Sequence, residues 1–543
     1  MTAALDAGSQ LLLARVLYWA MPLALLLWAV AAVRRFGARE DAGGSGPFAF
    51  ARRHAAGLLA ALALTVATPF VSAPRMRMQF DETSLCGTAQ NMHLHRTAMM
   101  GIAALPSGDG LELLDWNLDK RPPLFPFLVS VAHDLTGYRV ENAFAINLGL
   151  LFLLLATLAV ACARRLPANV RALGGVAAPL LVAAVPLVLT AATSAGFELL
   201  ATLLLAWTIV SAIDYVEAPS AVRGQWLLAN ALLLALSRYE SILLALLVLA
   251  LVWLRSGRRL LLGRYGRVLL AAGIALLLPI AALLWHSLDA GFYLEAGGRQ
   301  RVGLGNLATN FAPFVGRLFH PFGVQPFPGL LAVVSAVVYL LWLLRRFARF
   351  RDLLVLAPVL AVTAIVWLWF YGDVRETTAL RLYLPIAVLA ALGPVLLLRL
   401  LPWRPVGWLV AVFAAALGAW RWTALAAGEM PAENRAARLL DAFDLVLANV
   451  PHDPARTVWV TTAAQYLIVR GHAAMPPAVF AQRTEAGSDP FRDLDVFVVT
   501  WPEDERLPWF GDPRSVLAGG GAAFLGSVDS GADAALEVYR LRR

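Results

Sequence analysis

Charged residues are scarce in this 543-residue chain: Asp, Glu, Lys and Arg together make up 15%, against 60% hydrophobic residues and a mean hydropathy of +0.68. Soluble domains carry roughly a quarter charged residues, so a soluble globule is excluded and a polytopic membrane protein is the class that remains. Lysine is almost missing: of 45 basic side chains 44 are arginine, which leaves Lys120 alone. Cysteine is limited to Cys86 and Cys162. These two are expected on opposite membrane faces, too far apart for a disulfide. There is no Ser-His-Asp set, Walker motif or dinucleotide fingerprint, and the glycine run Gly519 to Gly521 lacks the Lys-Ser/Thr of a phosphate loop. The first apolar run, from about Leu11 to Val33, has no basic leader and is long enough to span, so no cleavable signal peptide is expected. The formal charge of +9 does not argue for nucleic acid, because the arginines cluster in short loops between apolar runs, the pattern of cytoplasmic loops.

Apolar runs that approach or exceed the roughly 20 residues needed to cross a bilayer recur along the chain. Spans are expected near 11–33, 57–74, 140–162, 173–192, 196–216, 268–287, 326–344, 353–371, 382–399 and 406–422. Residues 226–255 read as a short hairpin embedded in protein, two apolar pieces flanking Arg238-Tyr239-Glu240. With the hairpin counted as two, about twelve spans result and both termini lie outside. The inner loops are marked by Arg34, Arg35, Arg39, Arg52 and Arg53, by Arg164, Arg165 and Arg171, by the run from Arg255 to Arg267, by Arg345 to Arg351, and by Arg399 and Arg404. That places residues 75–139 in a first external loop and 288–322 in a second. Within the first, residues 122–136 are apolar, short and proline-led, which predicts a helix lying on the surface.

The chain divides into an extra amino-terminal span and cytoplasmic loop (1–56), a transmembrane domain (57–424) and a small α/β domain on the outer face (425–543). The last is marked by returning acidic residues and by a helix-like stretch, 432–450, followed by β-rich stretches at 457–461, 496–500 and 536–541.

The first external loop opens on Arg77-Met78-Gln79-Phe80-Asp81-Glu82-Thr83 and closes on Leu118-Asp119-Lys120-Arg121-Pro122-Pro123-Leu124-Phe125. Asp81 and Glu82 fit a solvated helix start, where the dipole favours acids. They equally fit a general base that takes the proton of an acceptor hydroxyl. Lys120 and Arg121 fit either interfacial anchors beside lipid headgroups or cations aimed at a phosphate leaving group. Glu198, at the external end of a span, is an ionisable group in apolar surroundings and a candidate on that ground. The segment Asp373 to Thr378 leads to Arg381-Leu382-Tyr383-Leu384-Pro385. Arg381 either grips phosphate with its planar fork or pairs with Glu376. Arg238 and Glu240 read as an ion pair at the hairpin tip. His93 and His95 are two apart, so they do not share a helix face, and no companion set with metal spacing is evident. A divalent metal there is the minor alternative.

Taken in order, Phe80-Asp81-Glu82, Asp119-Lys120-Arg121-Pro122-Pro123, Glu198 after a Thr-Ser turn, Ser237-Arg238-Tyr239-Glu240 and Arg381-Leu382-Tyr383-Leu384-Pro385 resemble the GT-C class of integral-membrane glycosyltransferases. The likeness is to the group of protein O-mannosyltransferases and bacterial lipid A aminoarabinose transferases, over roughly residues 57–400. Such a resemblance implies a GT-C-like membrane fold and a bacterial inner-membrane enzyme working on the periplasmic side. It further implies a polyprenyl-phosphate sugar as donor and a lipid, glycan or protein as acceptor. Asp81 would then be the base, assisted by Glu82, in a reaction that inverts the anomeric carbon. Lys120, Arg121 and Arg381 would receive the phosphate, with Glu198, Arg238 and Tyr383 as further substrate contacts. The chain departs from the family in its extra first span, in an arginine interrupting Lys-Pro-Pro, and in glutamate at 198 where many relatives have aspartate. A secondary transporter is the rival reading, although neither an internal repeat nor a midplane charge cluster is evident. A noncatalytic scaffold with an outer binding domain is the third.

Overall fold

The computed structural model describes residues 5–37, 47–108, 110–257, 263–289, 302–318, 326–345, 350–369, 372, 380–398, 404–431, 433–485, 491–501, 511–518, 521–529 and 535–541. The segment Asp373 to Thr378, Arg39, Arg258, Arg259, Arg399 and residues 290–301 and 319–322 of the 288–322 loop lie outside these.

Two long helices come first, α1 (Ala7–Gly37) and α2 (Pro47–Val71). The first loop follows as α3 (Gln79–His95), β1 (Met99–Ser107), β2 (Gly110–Leu118) and α4 (Leu124–Thr136). The bundle continues through α5 (Glu141–Arg165), α6 (Arg171–Ala183), α7 (Pro186–Ala192), α8 (Glu198–Glu217), α9 (Ala221–Ala235) and α10 (Ser241–Ser256). Then come α11 (Gly263–Asp289), α12 (Gly305–Leu318), α13 (Pro326–Arg345) and α14 (Phe350–Leu368). A 3₁₀ turn, Arg381–Tyr383, leads into α15 (Leu384–Ala391), α16 (Gly393–Leu397) and α17 (Arg404–Ala424).

Six helices among the described residues are long and apolar enough to cross a membrane, seven if α6 and α7 make one span. The expected total of about twelve also counts shorter apolar helices, among them 241–256, 353–368 and 381–397. Leu26, Leu62, Trp253 and Leu278 stay exposed on these helices, the surface of a multi-pass membrane protein in contact with lipid. The expected continuous span at 173–192 is instead broken between α6 and α7 by a 76° bend. Pro186 starts α7; it has no N–H to continue the ladder and pushes Val185 out of the helical region. Helices close tightly where side chains are absent. A Cβ on Gly57 would lie 2.9 Å from the Gly175 carbonyl oxygen, and one on Gly418 2.8 Å from the backbone of Leu180. Such small-residue contacts let membrane helices approach.

The expected surface helix is α4, introduced by Pro122-Pro123, with Leu124, Phe125, Phe127 and Val129 buried. The hairpin tip at 236–240 joins α9 to α10, as the two short apolar pieces require. The β1–β2 hairpin was not anticipated. It pairs Met99 with Leu118 and Ser107 with Gly110, antiparallel, and turns through Gly108 at φ +52°.

After α17 the chain forms α18 (Arg435–Asn449), β3 (Thr457–Val460), α19 (Ala464–Val469), β4 (Ala474–Met475), α20 (Pro477–Glu485), β5 (Asp495–Thr500), α21 (Pro513–Ala518), β6 (Ala522–Asp529) and β7 (Ala535–Leu541). The sheet order is β4-β3-β5-β7-β6, with β4, β3 and β5 parallel and β7 and β6 antiparallel. The parallel strands are apolar and almost wholly buried, as parallel strands covered on both faces must be. One of the covers is the first loop. Ala103 of β1 shares a core with Val458, Val460, Met475 and Val498, and the Tyr138 hydroxyl donates to the Val469 carbonyl at 2.5 Å. The carboxy-terminal sheet and the first loop therefore make a single body on one end of the bundle.

Candidate active site

Asp81 and Glu82 lie in the first turn of α3, where the dipole favours acids. Consecutive residues on a helix point about 100° apart, and the two carboxylates have separate partners. Asp81 takes Arg121 on one oxygen and Arg381 on the other. Arg121 is also held by Asp119 at 2.6 Å. Arg381 reaches Glu198 at 3.2 Å, Glu198 lies 3.5 Å from Arg238, and Arg238 lies 2.6 Å from Glu240. The result is a ribbon of alternating charge, Asp119–Arg121–Asp81–Arg381–Glu198–Arg238–Glu240, assembled from five separate stretches of chain. The Arg238 guanidinium also sits over the Phe197 ring, 4.6 Å from its centroid.

Most of this ribbon is buried. Side-chain exposure is 3% for Asp119, 7% for Arg121 and 6% for both Glu198 and Arg238, against 23% for Asp81. Burying ions is expensive even when they pair, so this many in one place make the ribbon a candidate functional site. Burial alone would raise the Asp81 carboxyl, but the Arg121 and Arg381 guanidiniums outweigh it and hold it well below the usual carboxylate range. Lys120 stands beside the ribbon, half-buried. Burial and the Arg121 charge lower its pKa, while Asp81 and Asp119 oppose them.

Glu82 turns the other way. Its Oε2 accepts the backbone N–H groups of Arg77 at 2.9 Å and Ala195 at 3.3 Å. Burial pushes its carboxyl up to about 7 in spite of those bonds. Arg77 is itself buried. It donates to the Thr193 carbonyl and hydroxyl at 3.0 and 3.1 Å, to the Ala73 carbonyl at 3.0 Å, and through a two-pronged fork to Glu433, both at 3.0 Å. Asn434 caps α18 and donates back to the Arg77 carbonyl at 3.0 Å.

Next to the ribbon a cavity runs down between α8, α10, α14 and α15, with about 440 Å³ of atom-free space counting its open mouth. Glu198, Arg238, Glu240 and Arg381 line its polar end; Leu205, Leu244, Val362, Ile365, Val366 and Leu382 line the rest.

Of the candidates, Asp81, Arg121, Glu198, Arg238 and Arg381 come together in the ribbon. Glu82 and Lys120 flank it. Tyr383 does not join them: its ring packs edge-on against Phe314, and its hydroxyl meets no hydrogen-bond partner among the described residues. A 3₁₀ turn rotates about 120° per residue, so Arg381 and Tyr383 cannot face the same way. Glu376, the rival partner for Arg381, lies outside the described residues. His93 is engaged by Asp134 at 2.6 Å rather than by His95. Asp119, Arg77 and Glu433 were not singled out as site residues, although the first two sit inside quoted motifs; nothing in the sequence signals Glu433.

The architecture is that of a GT-C fold, a multi-pass helical bundle whose first loop carries paired acids and packs under an α/β cap. Among solved structures the chain is similar to ArnT from Cupriavidus metallidurans bound to undecaprenyl phosphate, with a TM-score of 0.56, 14% identity, and coverage of 90% of this chain and 98% of that one. The apo form of the same protein gives a TM-score of 0.56 at 16% identity, covering 89% and 97%. An oligosaccharyltransferase from Archaeoglobus fulgidus matches at a TM-score of 0.40 and 12% identity, over 87% of this chain and 73% of that one. No protein-family model and no curated protein matches the chain.

Proposed function

We propose that the protein is a glycosyltransferase that moves a sugar from a polyprenyl-phosphate donor to an acceptor hydroxyl at the outer face of the bacterial inner membrane. The observation that carries this reading is Asp81, set between Arg121 and Arg381, with Arg381 also lining the polar end of a cavity whose walls turn apolar. A lipid-linked phosphate has that same division, an anionic head on a hydrocarbon tail. The ArnT structure holding undecaprenyl phosphate, on the same fold, supports it.

In the proposed reaction Asp81 takes the acceptor's hydroxyl proton as that oxygen attacks the anomeric carbon. The bond from that carbon to the phosphate oxygen breaks on the opposite side, inverting the centre, and the electron pair leaves with polyprenyl phosphate. Arg121, Arg381 and Lys120 receive the charge that develops on phosphate. Glu82 assists by fixing the start of α3 to the α7–α8 turn. Glu198 and Arg238 line the donor's path. The ribbon lies at helix ends and in the first loop, not in the middle of long spans, which favours a transferase over the rival transporter.

The test is release of free polyprenyl phosphate from labelled polyprenyl-phosphate sugars by protein in lipid nanodiscs with membrane extract as acceptor. Asp81→Asn is expected to lower the rate by roughly 10² to 10⁴ as for a lost general base, and Lys120→Ala and Arg381→Ala to weaken donor use. Full activity in both Asp81→Asn and Lys120→Ala would refute the mechanism.

A further inference from the structure

We infer that Asp81 occupies the donor phosphate's own seat in the empty protein, so that the donor must displace it and by doing so frees the base. The inference rests on the donor reading above and concerns how that site is switched on.

Both oxygens of Asp81 are taken by guanidiniums. A carboxylate held in that way is stabilised as the anion and has little tendency to accept a proton from a hydroxyl. Arg381 lines the polar end of the cavity and Arg121 meets it across Asp81, so an anionic head group reaching past Arg381 faces the same two cations. One pair of arginines is thus claimed by two anions, and the electrostatics disfavour seating both. With Lys120, the ribbon's three arginines amount to four positive charges against four carboxylates: Asp119, Asp81, Glu198 and Glu240. A phosphate added without a departure leaves the buried array with excess negative charge, which is costly in a low-dielectric site.

The departing acid is Asp81. Its side chain is 23% exposed, compared with 3% for Asp119, 6% for Glu198 and 16% for Glu240, so it regains water most readily. Its loss would not unseat the arginines. Arg121 keeps Asp119 and Arg381 keeps Glu198, each anchored by a second carboxylate with donors left over for phosphate oxygens. Asp119 and Glu198 are therefore positioning residues for the two cations. The consequence is an ordered reaction, donor before acceptor, with no activated base in a site that lacks a donor.

The test uses full-length protein in nanodiscs and polyprenyl phosphate alone, with the matching polyprenol as the probe lacking phosphate. Asp81→Asn and Asp81→Ala are expected to bind polyprenyl phosphate roughly tenfold tighter than wild type, as removal of a competing charge-assisted contact implies. Polyprenol affinity is expected to stay unchanged. In the wild type, labelling of Asp81 by a carbodiimide and an amine, read by mass spectrometry, is expected to rise when polyprenyl phosphate is bound. Wild-type or weaker affinity in both variants, or labelling that does not change on loading, would overturn the exchange. Arg381→Ala separates the two layers: if it loses binding while the Asp81 variants gain none, the donor site stands and the exchange falls. If Arg381→Ala binds as wild type does, the donor reading itself falls.

Discussion

The buried fork between Arg77 and Glu433 offers a way to disturb the site without touching the ribbon. Glu433 lies more than 350 residues from Arg77 and accepts two parallel bonds from its guanidinium, both 3.0 Å. Glu433→Gln preserves the shape but removes the counter-charge, and its amide NH₂ then faces a guanidinium that also donates. Breaking a fully buried pair costs about 3–5 kcal/mol. The Glu433 side chain is 30% exposed, while that of Arg77 is 5% exposed. Water can therefore replace part of what Glu433 supplied, and about 2 kcal/mol is the better figure. The effect should be local, since the backbone N–H of Arg77 holds Glu82 at the start of α3. Amide hydrogen exchange over residues 75–82 is expected to speed up roughly 30-fold, the equivalent of that energy. Glycosyl transfer should fall by about 10- to 100-fold through misplacement of Asp81, with kcat affected more than the KM for donor. As a control, Asp441→Asn breaks the 2.8 Å pair with Arg75, in which both side chains are at least one-third exposed; it should cost under about 1 kcal/mol. Unchanged exchange and unchanged kcat in Glu433→Gln would refute the idea that the carboxy-terminal region positions the acids.

Stability should depend on pH through Glu82. Its carboxyl stands near 7 in the fold against an ordinary 4.5, so its contribution is complete below pH 4.5 and is lost as pH rises through 7. Glu82→Gln keeps an oxygen for the two backbone N–H groups and should remove that dependence, stabilising the protein above pH 7 by up to about 3 kcal/mol; parallel thermal unfolding curves for both proteins at pH 5 and pH 8 would contradict this. Gly418→Ala forces a methyl to within 2.8 Å of the Leu180 backbone, and the resulting separation of α17 from α6 should cost about 1–3 kcal/mol, seen as a lower Tm in the same detergent or nanodisc. Asp134→Asn loosens the 2.6 Å contacts with His93 and Arg96 at the far end of α3; these are partly exposed, so the loss should stay under about 1 kcal/mol with transfer activity intact, and a large activity loss would place that end of the helix in the reaction.

The features legible in the sequence are those that depend on local pattern. Long apolar runs identify α1, α2, α5, α8, α11 and α17 as spans, and Pro122-Pro123 ahead of a short apolar stretch marks α4. The Arg238–Glu240 pair is two residues apart and was foreseen as a tip contact. What was not legible depends on distant partners. The β1–β2 hairpin reads as an unremarkable loop because its buried face is completed by β3, β4 and β5, more than 340 residues further on. Glu433 has no local signature, since its partner is fixed only when α18 docks on the first loop. The pairing of Asp81 with Arg381 likewise spans 300 residues. Sequence proximity to Arg381 says nothing about the direction set by a 3₁₀ turn, which puts the Tyr383 ring against Phe314 instead of beside the ribbon. The bend before Pro186 had a visible cause, but the apolar run continues across it and hydropathy hides the break.

The location of these contacts assigns a mechanical task to the carboxy-terminal region. The membrane helices reach α3 at few points: Ala195 binds Glu82, and Arg381 binds Asp81. Within the first loop Arg121 and Asp134 hold Asp81 and His93, and further restraints come from the α/β cap. Glu433 and Asn434 hold Arg77 just ahead of the helix, Gln465 of α19 lies 3.3 Å from Ser84 within it, and β1, which follows it, is covered by the sheet. A general base must be held within hydrogen-bond reach of its proton, yet the proposed exchange would have the Asp81 carboxylate leave two arginines and return. These demands are compatible only if the helix stays fixed while the side chain moves. Clamping α3 through Arg77, Glu82 and Ser84 would leave the Asp81 side chain, once the donor takes its two arginines, to move on a fixed helix. On the proposed mechanism the cap is thereby part of the catalytic geometry, although it contributes no charge to the ribbon itself.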